Sequence, residues 1–124
     1  MAVILVIDDD SQFVRLVKKV LEPHGHQVLV ATSALSGLRQ ARDESVELVL
    51  LDINLPDLDG QLVAAILHPG MKGRDVPIVA VSAQQDDATR HSVMSLGCAG
   101  FIAKPLDTRQ FPAQIAAFLR PSSA

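Results

Sequence analysis

The sequence predicts a doubly wound α/β fold, a three-layer sandwich in which five parallel strands lie between two layers of helices. Three observations predict it. Five short runs are apolar on both alternating faces, as strands buried on both sides must be. Segments with helical spacing separate these runs, so strand and helix alternate five times along 124 residues. Acidic and other polar residues gather where the runs end, in "VILVIDDD" and "VELVLLDINLPDLDG".

Taken in order, Val3 to Ile7 is the first strand, and Asp8, Asp9 and Asp10 follow it. Phe13, Leu16, Val17, Val20 and Leu21 then recur at helical spacing until "EPHGH" ends the stripe. Gln27 to Ala31 is the second strand, and Leu35, Leu38 and Ala41 form a shorter second stripe. The third strand is Glu47 to Leu51; the third stripe is Leu62, Val63, Ile66 and Leu67, closed by "HPG". Pro77 to Val81 is the fourth strand. Val93, Met94 and Leu96 mark the helix after it, with Asp86 or Asp87 as N-cap and Gly97 just past its C-terminus. Gly100 to Ala103 is the fifth strand. The last helix starts at Asp107 and carries Phe111, Ile115, Phe118 and Leu119. Pro112 removes a backbone donor and crowds the carbonyl four residues back, so an irregular first turn is expected there. The length suits one core, giving a single domain over 1–120 and a tail over 121–124.

Composition excludes several function classes. No apolar run approaches the ~20 residues of a membrane span, and the N-terminus turns acidic at Asp8, without a secretory signal's basic start or cleavage site. A cytoplasmic protein is expected. The lone Cys98 excludes an internal disulfide and reads as a small buried residue before the fifth strand. Net charge is −3, Lys and Arg do not cluster, and there is no Trp or Tyr and only four Phe, so neither the charge footprint nor the stacking platform of a nucleic-acid binder is present. His24, His26, His68 and His91 lack ligand spacing and read as solvated. The "GMKGRD" loop is not a phosphate cradle, because it does not join a strand to a helix N-terminus.

The positions of the polar residues carry the functional reading. Asp8 and Asp9 follow strand one, Asp52 strand three, Ser82 strand four and Lys104 strand five. In an open parallel sheet, ligands bind at the carboxyl ends of strands; in the flavodoxin-like order 2-1-3-4-5, strands one and three adjoin at the switch point. The two acidic clusters should therefore meet. Two carboxylates about 4 Å apart repel by roughly 4 kcal/mol at an effective dielectric near 20, so a divalent cation is expected to join them. Oxygen ligands with room for water and a phosphoryl oxygen suit Mg²⁺. Lys104 and Ser82 can contact phosphoryl oxygens. Asp52, standing singly on a central strand, is the expected nucleophile, and Asp8 and Asp9 the metal pair. Asp10 reads as a helix cap or a solvent-facing residue.

With its acidic pair after strand one, "LLDINLPDLDG", "VSA" after strand four and "GFIAKP" after strand five, the chain resembles the receiver domain of bacterial two-component response regulators, from "ILVIDDD" to "AAFLR". Each motif is common alone; the set in this order is specific. The resemblance implies that Asp52 accepts a phosphoryl group from a phosphohistidine of a sensor histidine kinase or a histidine phosphotransfer protein. It implies Mg²⁺, for which Mn²⁺ can substitute, held by Asp9 directly, Asp8 mostly through water, Asp52, and the backbone carbonyl of Asn54. Ser82 and Lys104 would contact the phosphoryl group, with a cis Lys104–Pro105 peptide bond. Phe101 occupies the aromatic switch position, with a plain core residue as the competing reading; many receivers have Tyr there, so switching would rest on packing without a hydroxyl. Asn54 and Gln84 fill the two positions that tune dephosphorylation. The implied output is a changed surface around the fourth helix, fifth strand and fifth helix, presented to a downstream protein target, with a phosphorylation-dependent dimer among the states the resemblance allows. The kinase-facing surface would be Asp10, Ser11 and Val14 with the Pro105–Leu106 loop. The chain is expected to be no enzyme beyond its own phosphoryl acceptance and dephosphorylation, and to act through protein contact, as a stand-alone regulator or the receiver of a hybrid kinase.

Three other readings compete. A Mg²⁺-dependent phosphohydrolase using Asp52 would need an acid two residues on, where Asn54 stands, and a substrate-binding insertion that is missing. A dinucleotide-binding domain would need glycines in the first turn, where three aspartates stand. A receiver that no longer takes phosphate would have lost a site residue, and none is lost.

Overall fold

The structure, a computed structural model, describes residues 2–43, 45–57, 76–83, 87–95 and 97–119. Strands β1 (Val3–Ile7), β2 (Gln27–Ala31), β3 (Leu48–Asp52), β4 (Ile78–Ser82) and β5 (Gly100–Ala103) form one parallel sheet in the order β2-β1-β3-β4-β5. The described α-helices are α1 (Ser11–Leu21), α2 (Ala34–Asp43), α3 (Asp87–Ser95) and α4 (Phe111–Leu119), and a 3₁₀ turn, Glu22–His24, follows α1. Here α3 and α4 are the fourth and fifth apolar segments of the sequence. The third stripe, Leu62 to Leu67, lies outside the described residues, as do His68, the "GMKGRD" loop, Gln84, Asp86, Leu96 and the tail.

Strand periodicity sorts the core into two layers. Ile4, Val6, Leu48, Leu50, Val79 and Val81 point to one face and pack with Phe13, Val17 and Leu21 of α1 and Phe111 and Ile115 of α4. Leu5, Ile7, Val49, Leu51, Ile78 and Ala80 point to the other and pack with Ala34 of α2, Val93 of α3, and Cys98. Every residue of β3 and β4 is buried, as strands between two helical layers must be. Burial also pushes the Cys98 thiol's pKa up, consistent with an inert packing residue.

Several elements differ from the sequence reading, each for a physical reason. Strands β3 and β4 begin and end one residue later than expected, because Asp52 pairs with Val81 and Ser82 with Ala103 in the ladder. Asp52 and Ser82 are thus the last residues of their strands. Leu35 and Met94 are exposed, not core. The inner face of α2 consists of Ala34 and Gly37 with the half-buried Leu38 and Ala41, small residues that let the helix approach β1 closely. Helix α4 begins at Phe111, not Asp107. The Asp107 carbonyl accepts from the amides of Gln110 and Phe111 in a preceding turn. Pro112 then falls in the first helical turn, where its missing donor leaves no bond unmade. Asp87 lies inside the first turn of α3. His24 and His91 are exposed, whereas His26 is half-buried, and burial lowers its pKa. Gly25 and Gly97 adopt φ of 88° and 105°, the left-handed conformation that ends the helical segments before them.

Gly37 offers a test of the α2–β1 packing. A Cβ there would sit 2.5, 2.7 and 2.8 Å from three side-chain carbons of the fully buried Ile7. Gly→Ala within a helix ordinarily stabilises by about 1 kcal/mol. Overpacking of about 1–3 kcal/mol outweighs that here, so Gly37→Ala should lower, not raise, the urea unfolding midpoint.

Candidate functional site

The carboxyl ends of β1, β3, β4 and β5 lie side by side, and the ladder carries the chain past them in register. The amide of Asp8 donates to the Ala31 carbonyl (2.9 Å), that of Ile53 to Val81 (3.1 Å) and that of Lys104 to Ser82 (2.8 Å). Because β1 adjoins β3, the acidic groups that end them meet. Asp8, Asp9 and Asp52 each present a ligand oxygen, all within 4.8 Å of one another. Asp8 and Asp52 are buried and Asp9 is exposed.

Each side chain is held by its neighbours. Asp8 Oδ1 accepts from the Asp10 amide at 2.8 Å, which aims its other oxygen at the ammonium of Lys104, 2.9 Å away. Asp52 Oδ1 accepts from the Asn54 amide at 2.9 Å; its Oδ2 lies 3.8 Å from Lys104 Nζ. Ser82, fully buried, has its Oγ 3.4 Å from the Asn54 side-chain nitrogen. The Lys104–Pro105 bond is cis. Asp10 stands apart from the cluster, its Oδ1 capping α1 by accepting from the amides of Gln12 (3.0 Å) and Phe13 (3.3 Å).

Electrostatics set the chemistry. Burial, followed by repulsion from Asp8, raises the Asp52 pKa above its ordinary 3.8, against the opposing pull of the Asn54 amide and Lys104. Three carboxylates against one ammonium leave two negative charges, which a divalent cation would neutralise. The donor set is all oxygen, and the spacing suits a single shared ion. The site fits such a metal. Phe101, half-buried, is paired in register with Ala80 and packs on the α2/α3 side of the sheet. The Arg90 guanidinium lies 5.3 Å from its ring centroid.

Sequence reasoning missed two residues here. Phe13 was legible only as part of the α1 stripe, yet its ring lies 4.5 Å beneath Lys104 Nζ and gives the ammonium an aromatic seat. Asp57 was not singled out at all. Its carboxylate accepts from the amides of Ala34 (2.9 Å) and Leu35 (3.1 Å), joining the segment after β3 to the N-terminus of α2.

The sequence profile of the response regulator receiver domain matches residues 4–116. The chain belongs to that family. Receiver domains carry phosphorylation-based signalling in two-component systems, interacting with kinases and downstream targets. This chain is 30% identical to the transcriptional regulatory protein KdpE of Mycobacterium tuberculosis over its whole length, which spans 54% of that protein. It is 27% identical to the polar-differentiation response regulator DivK of Brucella abortus, covering 94% of each. A solved two-component response regulator from Clostridium difficile superposes with a TM-score of 0.87 at 25% identity, over 100% of both chains. No helix among the described residues is long and apolar enough to cross a membrane.

The raised pKa of Asp52 has a defined consequence for stability. The folded receiver holds this proton more tightly than the unfolded chain, so ionising Asp52 costs folding energy above its folded pKa. Below the unfolded value the cost is absent. In metal-free buffer Asp52→Asn should therefore be the more stable protein at neutral pH by urea denaturation. That advantage should shrink as the pH falls through the raised pKa toward 3.8. A difference independent of pH would contradict the assignment of the strain to this carboxylate.

Proposed function

We propose that this receiver takes a phosphoryl group on Asp52 from a phosphohistidine of a sensor histidine kinase or histidine phosphotransfer protein, with Mg²⁺ as cofactor. The observation that carries the reading is the convergence of Asp8, Asp9 and Asp52 within 4.8 Å beside the Lys104 ammonium. Asp8, Asp9, Asp52 and the backbone carbonyl of Asn54 would hold the ion, and Mn²⁺ can take its place. Bound there, the ion would supply positive charge to neutralise the carboxylates and the charge developing on the phosphoryl oxygens.

The chain's own residues do the rest. The Asn54 amide fixes one oxygen of Asp52, and a carboxylate oxygen attacks phosphorus in line as the phosphohistidine N–P bond breaks and the imidazole leaves. Lys104, seated on Phe13 and already 3.8 Å from Asp52, meets the transferred group with little reorganisation. The phosphoryl group brings about −1.5 to −2 charge and new acceptor oxygens. The Ser82 hydroxyl turns to hydrogen-bond one of them, and Phe101, on the same face of the sheet, moves into the space this opens. The surface of α3, β5 and α4 changes with it and is read by a downstream protein. Carrying the population from 1:99 to 99:1 takes about 5.5 kcal/mol. A few charge-assisted hydrogen bonds at about 1.5–3 kcal/mol each supply it.

The kinase-facing surface is α1 at Asp10, Ser11 and Val14 with the Pro105–Leu106 loop. A groove of about 320 Å³ lined among others by Asp10, Phe13, Leu16, Lys104, Pro105 and Leu106 supports the Asp10 and Pro105–Leu106 part of this surface, while Ser11 and Val14 line a separate cleft with Asp8 and Asp9. The receiver turns over no external substrate. Its catalysis is confined to its own phosphorylation and dephosphorylation.

Incubation with Mg²⁺ and a small acyl phosphate should add the mass of one phosphoryl group to the intact chain. Asp52→Asn should abolish the adduct, and Lys104→Ala should slow its formation by about 10²–10³, the usual loss for one preorganised electrostatic group. Phosphomonoesters should release no sustained phosphate. An adduct that survives Asp52→Asn, or steady phosphomonoester turnover, would refute the reading.

A further inference from the structure

We infer that Asp57 is a positioning residue of the phosphorylation site, a tether that fixes the segment bearing Asn54 by anchoring it to the N-terminus of α2. The segment after β3 is pinned at four points. The Ile53 amide donates to Val81, the Asn54 amide donates to Asp52, Leu55 is buried against the α2/α3 core, and the Asp57 carboxylate bridges the amides of Ala34 and Leu35. The first three hold the near end; among the described residues, Asp57 alone holds the far end to another element. The Asn54 carbonyl, which the proposed function assigns to Mg²⁺, lies between the Asn54 amide and Leu55, three residues before the Asp57 anchor, and this inference rests on that assignment.

The tether is electrostatic. Asp57 is exposed, so burial does not hold it in place. The first amides of a helix have no partner within the helix, and the helix dipole favours a negative charge beside them. Ser33 and Ser36 complete the cap. Ser33 Oγ accepts from the Ser36 amide at 3.1 Å, while Ser36 Oγ accepts from the Ser33 amide at 3.3 Å. The Asp57 carboxylate, its pKa lowered by the Ala34 and Leu35 amides, serves the two remaining positions. It is committed to the helix and adds no charge to the acidic cluster.

Two substitutions separate positioning from simple helix capping, because each removes cap bonds from α2 but only one touches the Asn54 segment. In the full chain, Asp57→Ala should weaken Mg²⁺ binding by calorimetry about tenfold, the low end of the loss when a residue supporting a ligand is removed. It should also speed amide exchange at Ala34, Leu35 and Asn54. Asp57→Asn, which can still accept one of the two bonds, should recover part of the affinity. Ser33→Ala should speed exchange at Ser36 while leaving Mg²⁺ affinity and Asn54 exchange unchanged. An Asp57→Ala protein with normal Mg²⁺ affinity or normal Asn54 exchange would overturn the tether, as would Ser33→Ala weakening Mg²⁺ binding equally. If the unaltered chain takes up no Mg²⁺, the proposed function fails by itself, and Asn54 exchange in Asp57→Ala still decides whether the tether exists.

Discussion

Everything at the working end of this receiver follows from the adjacency of β1 and β3, which forces two acidic strand ends into one place. Each close carboxylate pair repels by roughly 4 kcal/mol at an effective dielectric near 20, a sizeable part of the 5–15 kcal/mol that typically separates folded from unfolded domains. Lys104 offsets part of this by lying 2.9 Å from Asp8 and 3.8 Å from Asp52. It does not cancel the cluster's charge, and burial, with repulsion from Asp8 added to it, raises the Asp52 pKa. A site of this kind persists only if the scaffold does not relax around it. The sheet meets that requirement: β3 and β4 are buried throughout, and two apolar layers clamp them from opposite faces. The remaining negative charge is what makes the site receptive to a cation, so its instability and its proposed use have one origin.

The same scaffold explains how narrowly the side chains are aimed. Asp8 and Asp52 each give one oxygen to an amide two residues on, leaving the other to face Lys104. Lys104 is long and flexible by nature, but the Phe13 ring beneath its ammonium and the ladder bond from its own amide to Ser82 restrict it. Phe13 thereby links the α1/α4 core to the site: the residue that anchors the first helix also seats the cation.

The sheet and the site residues were legible in the sequence because both rest on short-range pattern. Alternating apolar runs mark strands, and a strand of known direction places its terminal residue at a known edge, so Asp8, Asp52, Ser82 and Lys104 could be brought together without coordinates. What was illegible depended on partners. The period of α2 does not reveal that Ala34 and Gly37 face inward while Leu35 faces out; that depends on Ile7 pressing against Gly37. The one-residue offset of β3 and β4 depends on ladder pairs between chain segments. Helix α4 starts late because a separate turn closes on the Asp107 carbonyl first, which leaves Pro112 in the helix's first turn, where its missing donor costs nothing. Asp57 reaches its amides across more than twenty residues, and its turn carries no mark of a cap.

Phe101 shows how the proposed switch would differ from one built on tyrosine. A phenolic hydroxyl could trade hydrogen bonds between two orientations and so signal its position to a partner; Phe has none to trade. Its two orientations would differ by packing and by whatever charge sits on its ring, and here the Arg90 guanidinium of α3 lies 5.3 Å from the ring centroid. A cation over an aromatic face contributes about 0.5–1 kcal/mol at an exposed site, less than one charge-assisted hydrogen bond to a phosphoryl oxygen. Under the proposed mechanism, phosphorylation would outweigh the Arg90 contact. Losing that contact would in turn free a guanidinium on the outward surface of α3, so an inward movement of Phe101 would present a changed charge as well as a changed shape, without needing a hydroxyl.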